Sequence, residues 1–207
     1  ASMLFERMQS GLCRELTSLC VAFNRIFDKS VAMHARAEEA FQKFMLDEAC
    51  TVVSVDLRGN SLSGHLLQTV LAGNKSLTYL NLCDNPAIDD GVMRSLGELL
   101  LLPTSSSSLG FVSCHAFQLE VGWERLRPGS SLTHNGALLL AALLQKNSTL
   151  DTLDLSGSRI TVESIVTIAR VLTPTERGGA LLPAVTSVDL SGCDVTGALA
   201  ELSTMLC

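Results

Sequence analysis

The stretch VVSVDLRGNSL, residues 52–62, sets the pattern for most of this chain. Aliphatic side chains occupy its first, fourth, sixth and eleventh positions, and Asn60 occupies the ninth. In a short β-strand alternate side chains point to opposite faces, so the fourth and sixth positions enter a core and the fifth stays outside. A small polar residue at the ninth position can bond backbone groups where the chain turns away from the strand.

The same pattern returns four times further along the chain. The later copies are LTYLNLCDNPA (77–87), SSSLGFVSCHA (106–116), LDTLDLSGSRI (150–160) and VTSVDLSGCDV (185–195). A unit that recurs in this way cannot bury its apolar face alone, so neighbouring copies have to stack. The copies therefore predict an array of short strands.

Between these copies the apolar residues change to a helical period. Spacings of three and four residues run through 63–72, 90–102, 136–146 and 162–172. The pattern LxxLxLxxN/CxL, with full helices between the strands, resembles the leucine-rich repeat family and, within it, the ribonuclease-inhibitor-like subfamily. The resemblance implies an α/β fold: a curved leucine-rich repeat solenoid with a short parallel sheet on its concave face and helices on its convex face.

The resemblance divides the chain into two parts. Residues 51–207 are predicted to form a solenoid of about five repeats, with insertions near 118–131 and 173–182 that both carry Pro and Gly. In residues 1–50 an apolar stripe at helical spacing runs from Leu4 to Phe27, and a second helix is predicted from about Val31 to Glu48. We therefore expect residues 1–50 to be a helical amino-terminal cap, or alternatively a helical arm for a partner.

Composition excludes several classes of partner. The 207 residues carry a net charge of −6, which gives no electrostatic attraction for a nucleic acid backbone. Mean hydropathy is positive at +0.33, but no apolar run reaches the roughly 18 to 20 residues of a membrane-spanning helix, so we expect no membrane contact. The seven cysteines include no CxxC pair, which favours reduced thiols and a cytoplasmic, intracellular location.

The outward strand positions supply the candidate binding residues. Neighbouring strands lie about 4.8 Å apart, so Asp154 and Asp189 are expected to be adjacent carboxylates. An acidic surface lined by polar residues suits a basic protein partner, with Tyr79 as an aromatic anchor; an ordinary solvated sheet face is the alternative. The predicted protein-binding residues on this surface are Asp56, Tyr79, Asn81, Asp151, Asp154 and Asp189.

The first insertion adds two more candidates. Trp123, the only tryptophan, lies there with Arg125, and Trp and Arg are enriched at binding hot spots. The alternative is that Trp123 folds back and holds its own loop against the solenoid. The carboxyl end, where one helix follows the last copy without a polar capping repeat, is expected to meet further repeats or a partner.

The chemistry-bearing residues do not indicate an enzyme. The histidines His34, His65, His115 and His134 lack metal-ligand spacing, and Cys114 occupies the ninth position of its copy, which indicates a structural thiol. Phosphate-binding and nucleophile motifs are absent from the sequence, so we predict no catalytic residues, no metal and no cofactor. The sequence predicts a non-enzymatic protein–protein interaction scaffold or adaptor that uses the concave face and the insertions. A structural subunit of a large assembly and a regulator of a small GTPase are the alternatives.

Overall fold

The computed structural model describes residues 2–8, 15–28, 34–173 and 185–205. Its helices are α1 (Ser2–Arg7), α2 (His34–Met45), α3 (Gly64–Gly73), α4 (Asp90–Leu101), α5 (His134–Leu144), α6 (Val162–Leu172) and α7 (Leu199–Met205). Its strands are β1 (Ser18–Cys20), β2 (Ser54–Asp56), β3 (Tyr79–Asn81), β4 (Phe111–Ser113), β5 (Arg125–Leu126), β6 (Thr152–Asp154) and β7 (Ser187–Asp189). Parts of the predicted amino-terminal helices, at 9–14 and 29–33, and most of the insertion predicted at 173–182 lie outside the described residues. None of the described helices combines the length and the apolar character that crossing a bilayer would require.

The strands form two parallel sheets, in the orders β1-β2-β3-β4 and β5-β6-β7. The middle residues of neighbouring strands are aligned and buried, as with Val55, Leu80 and Val112 in the first sheet. Alternate residues of each strand therefore face a common core, as the period of two in the sequence predicted. This arrangement confirms the predicted α/β fold with parallel strands.

Polar side chains begin the helices that follow the strands. The residues Ser63, Asp89, Thr133 and Thr161 each accept a hydrogen bond from the backbone N–H three residues later, in the first turns of α3, α4, α5 and α6. Such caps satisfy a backbone donor that the helix itself leaves unpaired, and each stabilises a helix by about 1 kcal/mol. The sequence therefore specifies where the chain stops being extended and starts a helix.

The first strand lies in a segment that the sequence predicted to be helical. Residues 16–26 read LTSLCVAFNRI, which fits the repeat, and Leu19 of β1 aligns with Val55 of β2. The predicted helical stripe from Leu4 to Phe27 is therefore wrong over β1. The first, fourth and eighth positions of the repeat are separated by three and four residues, which is also the spacing of a helix face.

The second predicted amino-terminal helix is confirmed over its centre. Helix α2 buries Phe41, Phe44 and Met45, which are the residues that the apolar spacing placed inward. Phe41 also contacts Phe5 of α1 edge to face, with ring centroids 5.2 Å apart. The division of the chain at residue 50 and a capping role for residues 1–50 stay predictions.

The third copy of the repeat is displaced by three residues from its predicted register. Val112, rather than Leu109, aligns with Leu80, so this copy begins at Leu109 instead of Ser106. Leu109 satisfies an apolar position in either register, which is why the sequence alone did not separate them. Cys114 consequently takes the sixth position, inside the core, and Phe117 takes the ninth.

The predicted insertion at 118–131 contributes a strand. Leu126 of β5 aligns with Leu153 of β6, so one more unit of the array, beginning at Trp123, joins the second sheet. Each such unit, a strand with the chain that leads to the next strand, is called a coil below. Between β4 and β5 the chain folds back along β4, where the Leu119 N–H donates to the Val112 carbonyl at 2.9 Å. This fold-back occupies the edge of β4 and separates the two sheets.

The helices remain close to each other where the sheets separate. Residues 114–124 contain no helix, so α4 packs directly against α5. A Cβ atom on Gly97 of α4 would lie 2.7 Å from the backbone carbon of Leu138 in α5. The Asn147 side chain also donates to the Gly110 carbonyl at 3.2 Å, across the same junction. Two strands, β4 and β5, therefore lie between α4 and α5 in the chain, although these two helices pack directly against each other.

Candidate protein-interaction surface

The outward residues of the two sheets form two separate groups. The first-sheet face consists of Asp56, Tyr79, Asn81, Phe111 and Ser113. The second-sheet face consists of the outward residues of β5, β6 and β7 with their immediate flanks: Trp123, Arg125, Arg127, Asp151, Asp154 and Asp189. All of the predicted binding residues lie on one face or the other, but they do not form a single row, because β4 and β5 are not paired.

Two carboxylates are adjacent on the second-sheet face. Asp154 of β6 and Asp189 of β7 are register partners, as their repeat position predicted. The pKa of Asp154 is held below its usual value, first by the Ser156 side chain and then by the Ser156 backbone N–H, 3.0 Å from Oδ1. Ser191 lowers the pKa of Asp189 in the same way. Both groups are therefore ionised at neutral pH, whereas an acid–base pair needs one carboxyl group whose pKa is raised.

Arg127 is a residue of this face that sequence reasoning missed. Its Nε lies 3.0 Å from Oδ2 of Asp154, and its side chain is 72% exposed. Arg127 occupies the fifth position of the coil that begins at Trp123, so recognising β5 as a strand would have found it. Because this ion pair is exposed, it contributes little to stability. Arg127 partly neutralises the charge of Asp154, so Asp189 keeps more of its negative charge.

The other residues of the second-sheet face have mixed roles. The Thr186 hydroxyl donates to the Asp151 carboxylate, so that group is used within the chain. The Trp123 backbone N–H donates to the Glu120 carbonyl at 3.2 Å, which fixes the turn, while its side chain stays 41% exposed. Arg125 on β5 is exposed. Trp123 and Arg125 are thus available to a partner.

The first-sheet face is more closed. Asn81 is buried and its side-chain oxygen accepts from the Cys83 N–H at 3.1 Å, so the amide serves the turn after β3. Burial raises the pKa of Tyr79. Phe111 lies beside Tyr79 in the adjacent strand, which makes it an aromatic neighbour that the displaced register concealed.

One Ser–His–acid grouping has the residue types of a catalytic triad but not the exposure of one. His134 Nδ1 lies 2.7 Å from the Ser164 hydroxyl, and His134 Nε2 lies 3.8 Å from Glu163. Ser164 is fully buried at the start of α6, where no substrate can reach its oxygen. The grouping joins α5 to α6.

Among the residues that the structure describes, no three His, Cys, Asp or Glu side chains are placed to hold a metal ion.

Cys114 tests whether the third copy is buried as the structure places it. Burial raises the pKa of its thiol to about 11, so it stays protonated in the folded chain at pH 8. We expect iodoacetamide at pH 8 to label the exposed Cys20 while leaving Cys114 unlabelled until urea is added. Because the unfolded thiol ionises near 9.0, this group also makes folding less favourable as the pH rises from 9 towards 11.

Peptide mapping by mass spectrometry checks this expectation residue by residue, with Cys20 as the internal control for reagent activity. Equal labelling of both cysteines in the native protein would place Cys114 at the surface. That result would contradict the register in which Leu109 begins the third copy.

Comparison with known proteins finds two similarities. The family model described as Leucine Rich repeat matches residues 146–169, which cover the turn before β6, the strand itself and most of α6. The chain is also similar to the NACHT, LRR and PYD domains-containing protein 14 of Homo sapiens, with 33% identity over 148 residues, or 70% of this chain. The match covers 11% of that human protein's length.

Proposed function

Because the chain is a leucine-rich repeat protein, we propose that it is a non-enzymatic scaffold or adaptor that binds a protein partner through its second-sheet face. Leucine-rich repeat arrays are protein-interaction modules, and their extended surfaces suit that use. We also propose that the chain belongs to the ribonuclease-inhibitor-like subfamily, with a curved concave sheet and a helical amino-terminal cap. We further propose a reducing, cytoplasmic location. The five described cysteines, all unpaired, support the location.

One observation carries the proposal: the ionised carboxylates of Asp154 and Asp189 lie side by side on the second-sheet face, and the same sheet presents Trp123, which is 41% exposed, at the start of the coil that contains β5. Carboxylates on a solvated strand face keep their charge and attract cationic side chains at long range. Trp123 supplies the large apolar contact that such an encounter needs for affinity. We therefore propose a basic partner segment with an apolar residue that packs against Trp123.

Charge reversal tests the acidic part of this face. We expect Asp154→Arg combined with Asp189→Arg to reduce captured partner by about tenfold, because attraction becomes repulsion. The measurement is affinity capture with quantitative mass spectrometry. The matched control reverses Glu39 and Glu98, which are exposed on α2 and α4 and change the net charge equally. Undiminished capture by the Asp154 and Asp189 variant would rule out this face as the binding site.

Replacement of the aromatic anchor is a separate test. We expect Trp123→Ala to weaken partner binding by tenfold or more, a typical loss of about 1.4 kcal/mol or above for a hot-spot residue. Val121 is the matched control, since its side chain is 64% exposed in the same loop, and Val121→Ala should leave binding within about twofold. If the two variants lose binding equally, Trp123 has no special part in recognition.

A structural-subunit role has support from the carboxyl-terminal edge of the second sheet. Val188 and Leu190 are only partly buried, unlike the corresponding residues of β6. An apolar cleft lies beside them, lined by Leu155, Ile165, Ile168, Ala169, Leu172, Val188, Leu190 and Leu202. We propose that a further repeat or a partner protein covers this edge.

A further inference from the structure

The residue at the eighth position of each regular coil has a positive φ, which lets the chain turn there. Glycine occupies this position at Gly59 (φ 67°), Gly157 (φ 69°) and Gly192 (φ 77°), and Asp84 adopts it with φ 57°. Glycine has no Cβ and takes this conformation without a steric cost, and aspartate tolerates it. Phe23 holds the same position in the first coil with φ 56°. A bulky aromatic residue is rare in this conformation, so the repeat itself does not favour Phe23.

Burial does not explain the presence of Phe23. Its side chain is 62% exposed, although the ring lies across Gly59 of the next coil and closes the space beside that glycine. The Arg58 guanidinium is 5.2 Å from the ring centroid, which is a cation–π contact. Strained residues that persist without a packing reason are concentrated at functional sites. Phe23 is therefore an exposed aromatic residue on strained backbone whose ring lies against Arg58 and Gly59.

Arg58 has hydrogen-bonding capacity that the described chain does not use. Its Nη2 lies 3.7 Å from Oδ2 of Asp56, which is an ion pair but too long for a hydrogen bond. Its Nε is screened from solvent and has no hydrogen-bond partner among the described residues. Guanidinium groups offer five donors in a planar fork that matches a carboxylate. The Arg58 side chain as a whole is 41% exposed, so an incoming acceptor can reach its terminal Nη groups, which make no short hydrogen bond to the described residues, while the screened Nε stays out of reach.

We infer that Phe23 and Arg58 form a docking spot, the Phe23–Arg58 spot, for an acidic–apolar segment of a protein partner. A carboxylate of that segment accepts hydrogen bonds from the Arg58 guanidinium, and an apolar side chain next to it packs on the exposed ring of Phe23. The ion pair with Asp56 leaves little excess positive charge, which suits a singly charged carboxylate better than a doubly charged phosphate. This spot lies on the first sheet's edge and has the opposite charge preference to the second-sheet face.

Titration with synthetic peptides tests the inference. The probe is the acetylated, amidated peptide Gly-Glu-Leu-Asp-Leu-Glu-Gly, added to the ¹⁵N-labelled full chain while the Arg58 Nε–H and Phe23 N–H resonances are followed. We expect saturable shifts at both groups. Phe23→Asn and Arg58→Gln should each weaken binding by about tenfold, because each removes one half of the contact. Peptides with amides in place of the acids, or serine in place of leucine, should bind about tenfold more weakly.

Two controls separate docking from folding. Arg94→Gln removes an exposed, ion-paired arginine on α4, away from both sheet faces, and should leave peptide affinity unchanged. Asparagine tolerates positive φ, so Phe23→Asn should keep the melting temperature unchanged or raise it while peptide binding weakens. The inference is overturned if the shifts do not saturate, if the amide peptide binds as well as the acidic one, or if a phosphoserine peptide binds more tightly. A Phe23→Asn variant that melts at a lower temperature yet binds normally would assign Phe23 a structural role.

Discussion

Replacing Asn60 with alanine is expected to lower the free energy of unfolding by about 3–5 kcal/mol, since several buried backbone groups lose their partners together. Asn60 is fully buried between the first and second coils. Its side-chain oxygen accepts from the Asn24 and Ile26 N–H groups at 3.2 and 3.1 Å. Its side-chain nitrogen donates to the Val21 carbonyl at 2.7 Å and to two carbonyls of its own turn. Alanine satisfies none of these groups.

Asn24 is the matched control, because it holds the same ninth position in the first coil but is exposed. Its amide donates only to carbonyls of its own turn, Val21 at 3.1 Å and Ala22 at 2.9 Å. Water can replace those bonds, so Asn24→Ala should cost less than about 1 kcal/mol. Urea denaturation measures both variants. Similar losses for Asn24 and Asn60 would mean that Asn60 does not connect the coils.

The asparagine ladder shows what the sequence could specify in advance. The ninth position was predicted to bond backbone groups, and Asn85 does so, accepting from the Asn60 and Leu62 N–H groups at 3.1 and 2.9 Å. Cys193 continues this role with its thiol, 3.3 Å from the Leu155 carbonyl. Ser158 has the right position, but its side-chain oxygen is buried without a partner among the residues that the structure describes. The ladder is therefore strongest in the first sheet.

The parts that the sequence did not predict share a physical cause: local spacing was compatible with two structures. Residues 16–26 fit a helix stripe as well as a repeat, and Leu109 fits two registers of the third copy. Only the pairing of β1 with β2 and of β4 with β3 decides between them. Strand β5 is two residues long and is followed directly by a turn at Pro128, so its apolar signal rests on Leu126 alone.

The same distinction applies to the candidate sites. The adjacency of Asp154 and Asp189 follows from their shared repeat position, so the sequence was sufficient. The ion pair of Arg127 with Asp154 depends on β5, and the Phe23–Arg58 spot depends on recognising the first coil. Sequence repetition therefore predicts contacts between regular coils, while contacts at irregular coils require the structure.

The irregular junction between α4 and α5 gives the second large expected effect. Gly97→Ala should lower the free energy of unfolding by about 2 kcal/mol, against the usual trend for glycine in a helix. Helix propensity alone would favour alanine by about 1 kcal/mol. However, the new Cβ would lie 2.7 Å from two backbone atoms of Leu138 and Leu139, and backbone cannot rotate away as a flexible side chain can. Overpacking costs about 1–3 kcal/mol, and a clash with rigid backbone belongs at the upper end of that range, so about 2 kcal/mol of destabilisation remains after the propensity gain.

Gly91, in the first turn of the same helix, is the matched control for Gly97. A Cβ at Gly91 meets only the Asp89 carboxylate oxygen, at 3.3 Å, which can shift. We therefore expect Gly91→Ala to leave stability within about 0.5 kcal/mol of the parent or to increase it. Chemical denaturation of both variants makes the comparison. If Gly97→Ala is as stable as Gly91→Ala, the backbones of the two helices are not in direct contact at Gly97. If only Gly97→Ala is destabilised, the helix side is tightly packed at the point where the two sheets separate.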